Sequence, residues 1–326
     1  MRYISRVNTK LIDDMKTEVA LRQTGDIVAP QRIEDLLEAF ISSQDVRKSS
    51  KDLYRRELKQ YFTWVDSKGY LLSEIARTEL LEYKEHLLSS GLSPLTVGGY
   101  ITAVRRFYEW TEALKYYPNV ARGIKNPRRK QQFMKQPLTA LQATELLTYL
   151  QGENLRDFAM INLMIRTGLR CIEISRANTE DLTYKGGQRV LQVQGKGRDG
   201  KNDFVILTDK TAKPLDELLM DRKAKPGEPL FISTSNNNQG ERISTRTISY
   251  IAKEGLKAIG LNEKAYTAHS LRHSAGTNIL RAGGSLEQVR QMLRHSNIQT
   301  SMIYTSTLDE ERRLQNSGEA LIDNLF

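Results

Sequence analysis

Between Tyr116 and Gln136 the chain carries six basic residues (Arg122, Lys125, Arg128, Arg129, Lys130 and Lys135) and no acidic one. Pro118, Pro127 and Pro137 punctuate the same stretch. A proline ring removes a backbone donor and clashes with the preceding helical turn, so no continuous helix runs through this region. The chain must therefore fold on either side of it, as two units joined by a basic linker. A length of 326 residues suits that division, at roughly 150 residues per domain, and each side is long enough to bury a core.

Hydrophobic residues make up 39% of the chain and charged residues 27%, which excludes wholesale disorder. The longest apolar stretch, Ala159 to Ile165, is short and interrupted by Asn162. It cannot span a bilayer, and the N-terminus lacks the apolar core of a signal peptide. A single Cys excludes an intramolecular disulfide framework and a Cys-rich zinc module, and fits a reducing compartment. These features predict a soluble, cytoplasmic protein with no membrane partner. The formal net charge of +10 raises affinity for polyanions, nucleic acid above all, although a charge kept for solubility would look the same in composition alone.

Residues 1–30 show weak periodicity and read as an N-terminal extension. A helical unit follows over 31–115. Ile33, Leu36, Leu37 and Phe40 fall at helical spacing, as do Leu53, Leu58, Tyr61, Phe62 and Val65 approximately. A third helix is predicted over Thr78–Ser89. The fourth has Ser93 as N-cap, Pro94 at its first position and a stripe of Val97, Tyr100, Ile101, Val104, Phe107 and Tyr108. These aromatics read as core, not as base-stacking groups; Arg105 and Arg106 lie off the stripe, where they could meet a ligand.

Beyond the linker (116–136), residues 137–307 form the second unit. Thr139-Ala-Leu-Gln142 is a capping box, and helical patterns run through Asn154–Thr167 and on after Gly168. Then the period changes. Val190, Leu191 and Val193, the basic tip Gly195-Lys-Gly-Arg-Asp-Gly200, and Phe204, Val205 and Ile206 spell a β-hairpin. A short strand at Leu230–Ile232 is predicted too. The remainder is mostly helical, with N-caps at Ser244 and Thr267 and a second capping box at Ser285-Leu-Glu-Gln288. A tail over 308–326 ends in Leu321, Ile322, Leu325 and Phe326, an apolar group that needs a docking place. The fold class is therefore mainly α with a small β-sheet or hairpin.

Three of the four histidines, His269, His273 and His295, fall in one short region. His269 and His273 are four apart on one helical face. Zinc binding is a weak reading, because the glutamate of the metalloprotease helix is absent and Arg272 between them would repel a dication. Structural histidines are the bland alternative. A cluster of Arg, His and Lys has another use: attack on a phosphodiester builds negative charge on its non-bridging oxygens, and guanidinium forks match those oxygens. Such chemistry also needs a nucleophile and an acid for the leaving oxygen.

Thr167-Gly-Leu-Arg170-Cys-Ile-Glu173 resembles the first arginine box of the tyrosine recombinase (integrase) superfamily. Gly195-Lys196-Gly197 looks like its catalytic-lysine turn, and His269-Ser-Leu-Arg272-His273 like its His-x-x-Arg box. Leu293-Arg-His295-Ser296, with Ile303-Tyr304 nine residues on, resembles its last box and nucleophile. The boxes stand in the family's order across about residues 31 to 310. The resemblance implies an all-helical core-binding domain followed by a tyrosine-recombinase-type catalytic domain. It implies that Tyr304 attacks the scissile phosphate to form a 3′-phosphotyrosyl bond, with Arg170 and Arg272 clamping the non-bridging oxygens. Lys196 would protonate the leaving 5′-oxygen, His269 would assist proton transfer, His295 would bond the phosphate and Glu173 would orient an active-site Arg or His. A free phenol has a pKa near 10, so Tyr304 needs a cationic pocket to lose its proton.

Ester exchange conserves bond energy, so no ATP, metal or other cofactor is implied. The implied partner is double-stranded DNA carrying specific recombination sites, held by a homotetramer on synapsed duplexes, with DNA-bending or directionality proteins as accessories. Arg105, Arg106, Arg128, Arg129 and Lys130 are the candidate DNA contacts outside the catalytic set. The 1–30 extension leans towards integration and excision of a mobile element. Xer-like replicon dimer resolution, type IB topoisomerase-like relaxation and an inactive DNA-binding protein are the alternatives. Lys201 is a rival for Lys196, and His273 reads as structural. Cys171 beside Arg170 reads as a buried small residue. The tail could dock on its own domain or, as in the resembling family, on a neighbouring subunit. Arg294 stands where that family usually has Gly, which predicts an altered turn before His295.

Overall fold

The computed structural model describes residues 32–128, 136–195, 198–295, 297–315 and 318–323. The chain divides into two compact units, Met1–Gln131 and Gln132–Phe326.

The first unit holds four helices: α1 (Ile33–Ser43), α2 (Lys48–Ser67), α3 (Arg77–Ser89) and α4 (Pro94–Ala113). The apolar spacing in the sequence becomes a single core, with Leu36, Phe40, Leu58, Tyr61, Val65, Tyr83, Val97 and Phe107 wholly buried. The Ser93 hydroxyl accepts the Thr96 N–H and Pro94 opens α4, so a donor the helix leaves unmet is satisfied by the side chain just before it. Phe107 meets Phe40 and Phe62 edge-on, with ring centroids 5.8 and 5.2 Å apart, the geometry favoured by aromatic quadrupoles. Each such fully buried ring contributes roughly 1.5–3 kcal/mol.

The linker expected from residue 116 begins later. Tyr117, Ala121 and Ile124 are buried in the first unit's core. Arg77 donates to the Arg122 carbonyl at 2.6 Å, and Arg105 to the Ile124 carbonyl at 3.2 Å. Helix α4 ends at Ala113, before Pro118, and the segment that follows packs as an irregular flap because its few apolar residues meet the core. Arg129, Lys130 and Lys135 lie outside the described residues.

The second unit runs α5 (Ala140–Glu153), α6 (Leu155–Thr167), α7 (Cys171–Arg176), a 3-10 turn at Thr179–Asp181, β1 (Leu182–Lys185), β2 (Gln188–Val193), β3 (Asp203–Ile206), α8 (Asp209–Asp221), α9 (Thr245–Ala258), α10 (Ala268–Arg281), α11 (Leu286–Leu293), a 3-10 turn at Ile298–Thr300, α12 (Met302–Gln315) and α13 (Gly318–Asp323). The sheet is an antiparallel meander in the order β1-β2-β3, with Leu182 opposite Leu191 and Leu191 opposite Val205 on the core side. The β2–β3 hairpin stands where the periodicity places it, and β1 joins it as a third strand. The strand expected at Leu230–Ile232 is instead two isolated bridges, Asn178 to Pro229 and Ile232 to Arg242. These residues cross other loops at single points, so no ladder propagates.

Pro214 lies inside α8 and cannot donate to the carbonyl of Lys210. The Asn162 side-chain amide of α6 donates to that carbonyl at 2.8 Å and accepts from the Arg166 Nε at 2.7 Å. The polar residue that interrupts the apolar run of α6 thus repairs a defect in its neighbour. Among the described residues no helix is long and apolar enough to cross a membrane.

Candidate active site

The site is assembled around the end of α6. Gly168 terminates that helix in the left-handed region, at φ 63°, and its N–H bonds the Met164 carbonyl at 2.9 Å. A Cβ at this position would stand 2.2 Å from the Leu293 Cδ2, so glycine serves both the backbone turn and the close approach of α11. Two residues on, Arg170 caps α7. Glu173 reaches back to it, with Oε2 accepting the Arg170 backbone N–H at 2.8 Å and Oε1 accepting the Arg170 Nη1 at 2.9 Å. The Glu173 side chain is fully buried while that of Arg170 is 28% exposed. Burial pushes the Glu173 carboxyl up, but Arg294, the Arg170 N–H, and the Arg170 and Arg272 charges outweigh it and hold the pKa below the usual range.

Helix α10 brings the second arginine. The Arg272 guanidinium donates to the carbonyls of Gly168 and Leu293, tying the ends of α6 and α11 together from within the core. Burial, then repulsion from Arg170, pulls its pKa down to about 9, which leaves it charged at neutral pH. His269 is exposed at the start of α10, whereas His273, one turn on, is buried. Burial and the Arg281 charge push the His273 pKa down to about 4. A Cβ on Gly276 would come within 2.8 Å of the Tyr304 ring, so this mid-helix glycine makes room for the phenol.

The turn after α11 keeps the left-handed form that favours glycine, with Arg294 itself at φ 55°. The expected change of turn does not occur. The Arg294 side chain is 5% exposed; its Nη2 donates to the Glu173 Oε2 at 2.9 Å, and its Nη1 donates to the Met292 carbonyl at 2.6 Å. His295 follows, buried, with its Nδ1 2.7 Å from the Ser301 hydroxyl. Burial and the Arg272, Arg170 and Arg294 charges push its pKa down to about 4, so the ring is neutral at pH 7. The Tyr304 ring lies parallel to that of His295, centroids 6.1 Å apart, and 4.9 Å from that of His273. It packs with Ala275, Val289 and Leu293. Burial raises the Tyr304 pKa, and the Arg272 and Arg170 charges pull against that rise without cancelling it.

The structure thus gathers Arg170, Glu173, Arg272, His295 and Tyr304. Lys196 lies outside the described residues. Its rival Lys201 is engaged elsewhere, donating to both oxygens of buried Asp181 at 2.7 and 2.6 Å. In the first unit Arg105 holds backbone, as described above. Arg106 pairs with Glu109 at 3.0 Å on the surface, and Arg128 is exposed. Cys171 is half-buried against Ser249 with its thiol pKa raised by burial. Among the described residues no group of three His, Cys, Asp or Glu is placed to hold a metal ion. Sequence reasoning passed over Ser301 and Gly276. Gly276 carried a signal, since glycine inside a helix is costly unless something must pass close by.

The sequence profile of the phage integrase family matches residues 136–311, more than half of the chain, and that of the phage integrase N-terminal SAM-like domain matches 33–115. The chain belongs to the phage integrase family. Tyrosine recombinase XerD of Staphylococcus epidermidis is 30% identical over 292 residues, covering 84% of this chain and 92% of the relative. In fold this integrase resembles the XerH recombinase in a post-cleavage complex with its difH substrate, at a TM-score of 0.69 and 20% identity, covering 88% of this chain and 85% of that one. It also resembles the Tn1549 transposon integrase bound to transposon right end DNA, at 0.64 and 18% identity, covering 86% and 99%. The integrase is a site-specific DNA recombinase, and its two profile matches describe a SAM-like helical domain followed by the catalytic domain.

Proposed function

We propose that this integrase cuts and rejoins DNA through Tyr304, forming a 3′-phosphotyrosyl intermediate, in the integration and excision of a mobile element. The observation that carries the reading is the convergence of one buried phenol, two neutral imidazoles and two guanidinium groups around the ends of α6, α10 and α11. Arg170 and Arg272 clamp the non-bridging oxygens of the scissile phosphate, where negative charge grows as the phosphorane forms. His295, its Nδ1 engaged by Ser301, offers Nε2 to a phosphate oxygen. Lys196 protonates the leaving 5′-oxygen, and His269 assists the proton leaving Tyr304. With the phenol pKa raised by burial, the DNA-free enzyme holds its nucleophile protonated; attack needs the base and the phosphate together. Arg106, Arg128, Arg129 and Lys130 contact DNA backbone, a sequence-independent source of affinity. Four protomers on two synapsed sites, with accessory DNA-bending proteins, complete strand exchange.

The mobile-element role is supported by the phage integrase profile and by the fold likeness to a transposon integrase. Relatives named XerD favour a second reading, resolution of replicon dimers. A plasmid carrying two directly repeated flanking sites separates the two. Dimer resolution predicts excision between identical sites, whereas integration predicts joining of two different ones.

The chemistry is tested by trapping on a nicked suicide substrate taken from DNA flanking the gene, in EDTA. Wild type is expected to form a covalent protein–DNA adduct and Tyr304→Phe none. An adduct with the Phe variant would remove Tyr304 from its role.

A further inference from the structure

The Glu173 carboxylate sits between two arginines that come from opposite ends of the catalytic unit. Its Oε1 faces Arg170, and its Oε2 accepts from Arg294, 121 residues along the chain. Carboxylates and guanidinium groups prefer a two-pronged fork, in which both oxygens take donors from one arginine. If Glu173 forked Arg170, the donors meant for a phosphate would be turned inwards and the Arg170 charge neutralised by its own neighbour. Occupation of Oε2 by the Arg294 Nη2 and the Arg170 backbone N–H blocks that fork. Arg170 is left with one side-chain bond to the carboxylate and 28% of its side chain open.

Keeping Arg294 here is unfavourable locally. A non-glycine residue at φ 55° is strained. Its guanidinium is desolvated, and its Nε is buried with no hydrogen-bond partner among the described residues. Glycine would satisfy the turn at no such cost. The turn alone therefore does not explain Arg294; its bond to Glu173 does.

We propose that Arg294 is a positioning residue for strand cleavage: by holding the Glu173 Oε2 it stops Glu173 from forking Arg170 and keeps the Arg170 donors aimed at the scissile phosphate. This rests on the phosphotyrosyl reading above. In this reading Arg294 acts through Glu173 and not on the reacting atoms.

The test is single-turnover cleavage of the nicked suicide substrate at saturating DNA, with DNA affinity and thermal midpoint measured on the same proteins. Arg294→Gly is expected to slow cleavage about tenfold or more, with the DNA dissociation constant within about twofold; its thermal midpoint reports the balance between the relieved turn and the donor lost to the buried Glu173 carboxylate. Arg294→Lys, which restores one donor to Oε2, should recover part of the rate. In a Glu173→Ala background no fork can form, so adding Arg294→Gly should change the rate less than about threefold. Wild-type cleavage by Arg294→Gly, equal losses in binding and cleavage, or the same tenfold loss without Glu173 would each overturn the proposal. Should Glu173→Ala not fold, the lysine variant decides: no recovery counts against the role. A wild-type protein that binds this DNA and yields no adduct would sink the phosphotyrosyl reading, and this proposal with it.

Discussion

The two units bury different chemistry. In the first, the buried polar side chains among the described residues are Glu57 and Thr111, and the interior is otherwise aromatic and aliphatic. In the second, Asn162, Glu173, Asp181, Arg272, His273, His295 and several hydroxyls are equally buried. An apolar core gains from every group it removes from water. A buried polar group is at best neutral once hydrogen-bonded and costly if one bond is lost. The first unit is thus organised for stability, and the second gives some of that up to hold charges and dipoles in fixed places before DNA arrives.

That contrast can be broken by experiment. The largest expected effect is Phe107→Ala, which empties the space between Phe40 and Phe62 and should cost the first unit about 3–5 kcal/mol. Hydrogen exchange read separately over the two units should show the loss confined to residues before Gln131. Equal loosening of the second unit would show that the two do not unfold independently.

Acidification acts with opposite sign on the two. In the second unit His273 and His295 have folded pKa values near 4, below the ordinary 6.5. Between those values the unfolded chain binds more protons, so their contribution falls as pH drops from about 6.5 towards 4. The loss should reach on the order of 2 kcal/mol for each histidine by pH 5. In the first unit burial raises the Glu57 pKa, with Arg56 opposing. There the folded state takes the proton first, and stability gains as pH falls through that raised value. Exchange protection measured at pH 7 and pH 5 should fall in the second unit and hold in the first. A parallel fall in both would refute the assignment.

The smallest effect belongs to a cap. Ser93→Ala removes the hydroxyl that accepts the Thr96 N–H and should cost the first unit about 1 kcal/mol. Urea midpoints on the two variants would measure this against Phe107→Ala, and a cost as large as the cavity's would mean that α4 carries more than its packing.

What could be read from the sequence follows the same division by range. Caps at Ser93, Thr139, Ser244 and Ser285 are local, and each forms as its residues dictate. The hairpin strands are local too. β1 escaped notice because Leu182–Lys185 is four residues with no clear alternation, and its pairing with β2 makes it a strand. Tyr117, Ala121 and Ile124 fall at helical spacing, but the segment around Pro118 forms no helix; only the core they meet gives the flap its place. At the site, the residues that resemble family boxes stood out singly. The bond between Glu173 and Arg294 did not, because no spacing rule joins residues so far apart. Arg294 looked like a disturbance of a turn until its partner was in view.

The pairing of Asn162 with Pro214 sets an order on how this sequence can drift. While Pro214 stands, the Lys210 carbonyl takes its bond from the Asn162 amide, and an aliphatic at 162 would leave a partly buried acceptor without that donor. If Pro214 is first exchanged for a residue with an N–H, α8 supplies its own bond and position 162 is released. The two changes are tolerable in one sequence of events and damaging in the other. A library that randomises position 162 alone will therefore report a strict requirement that a proline on another helix imposes.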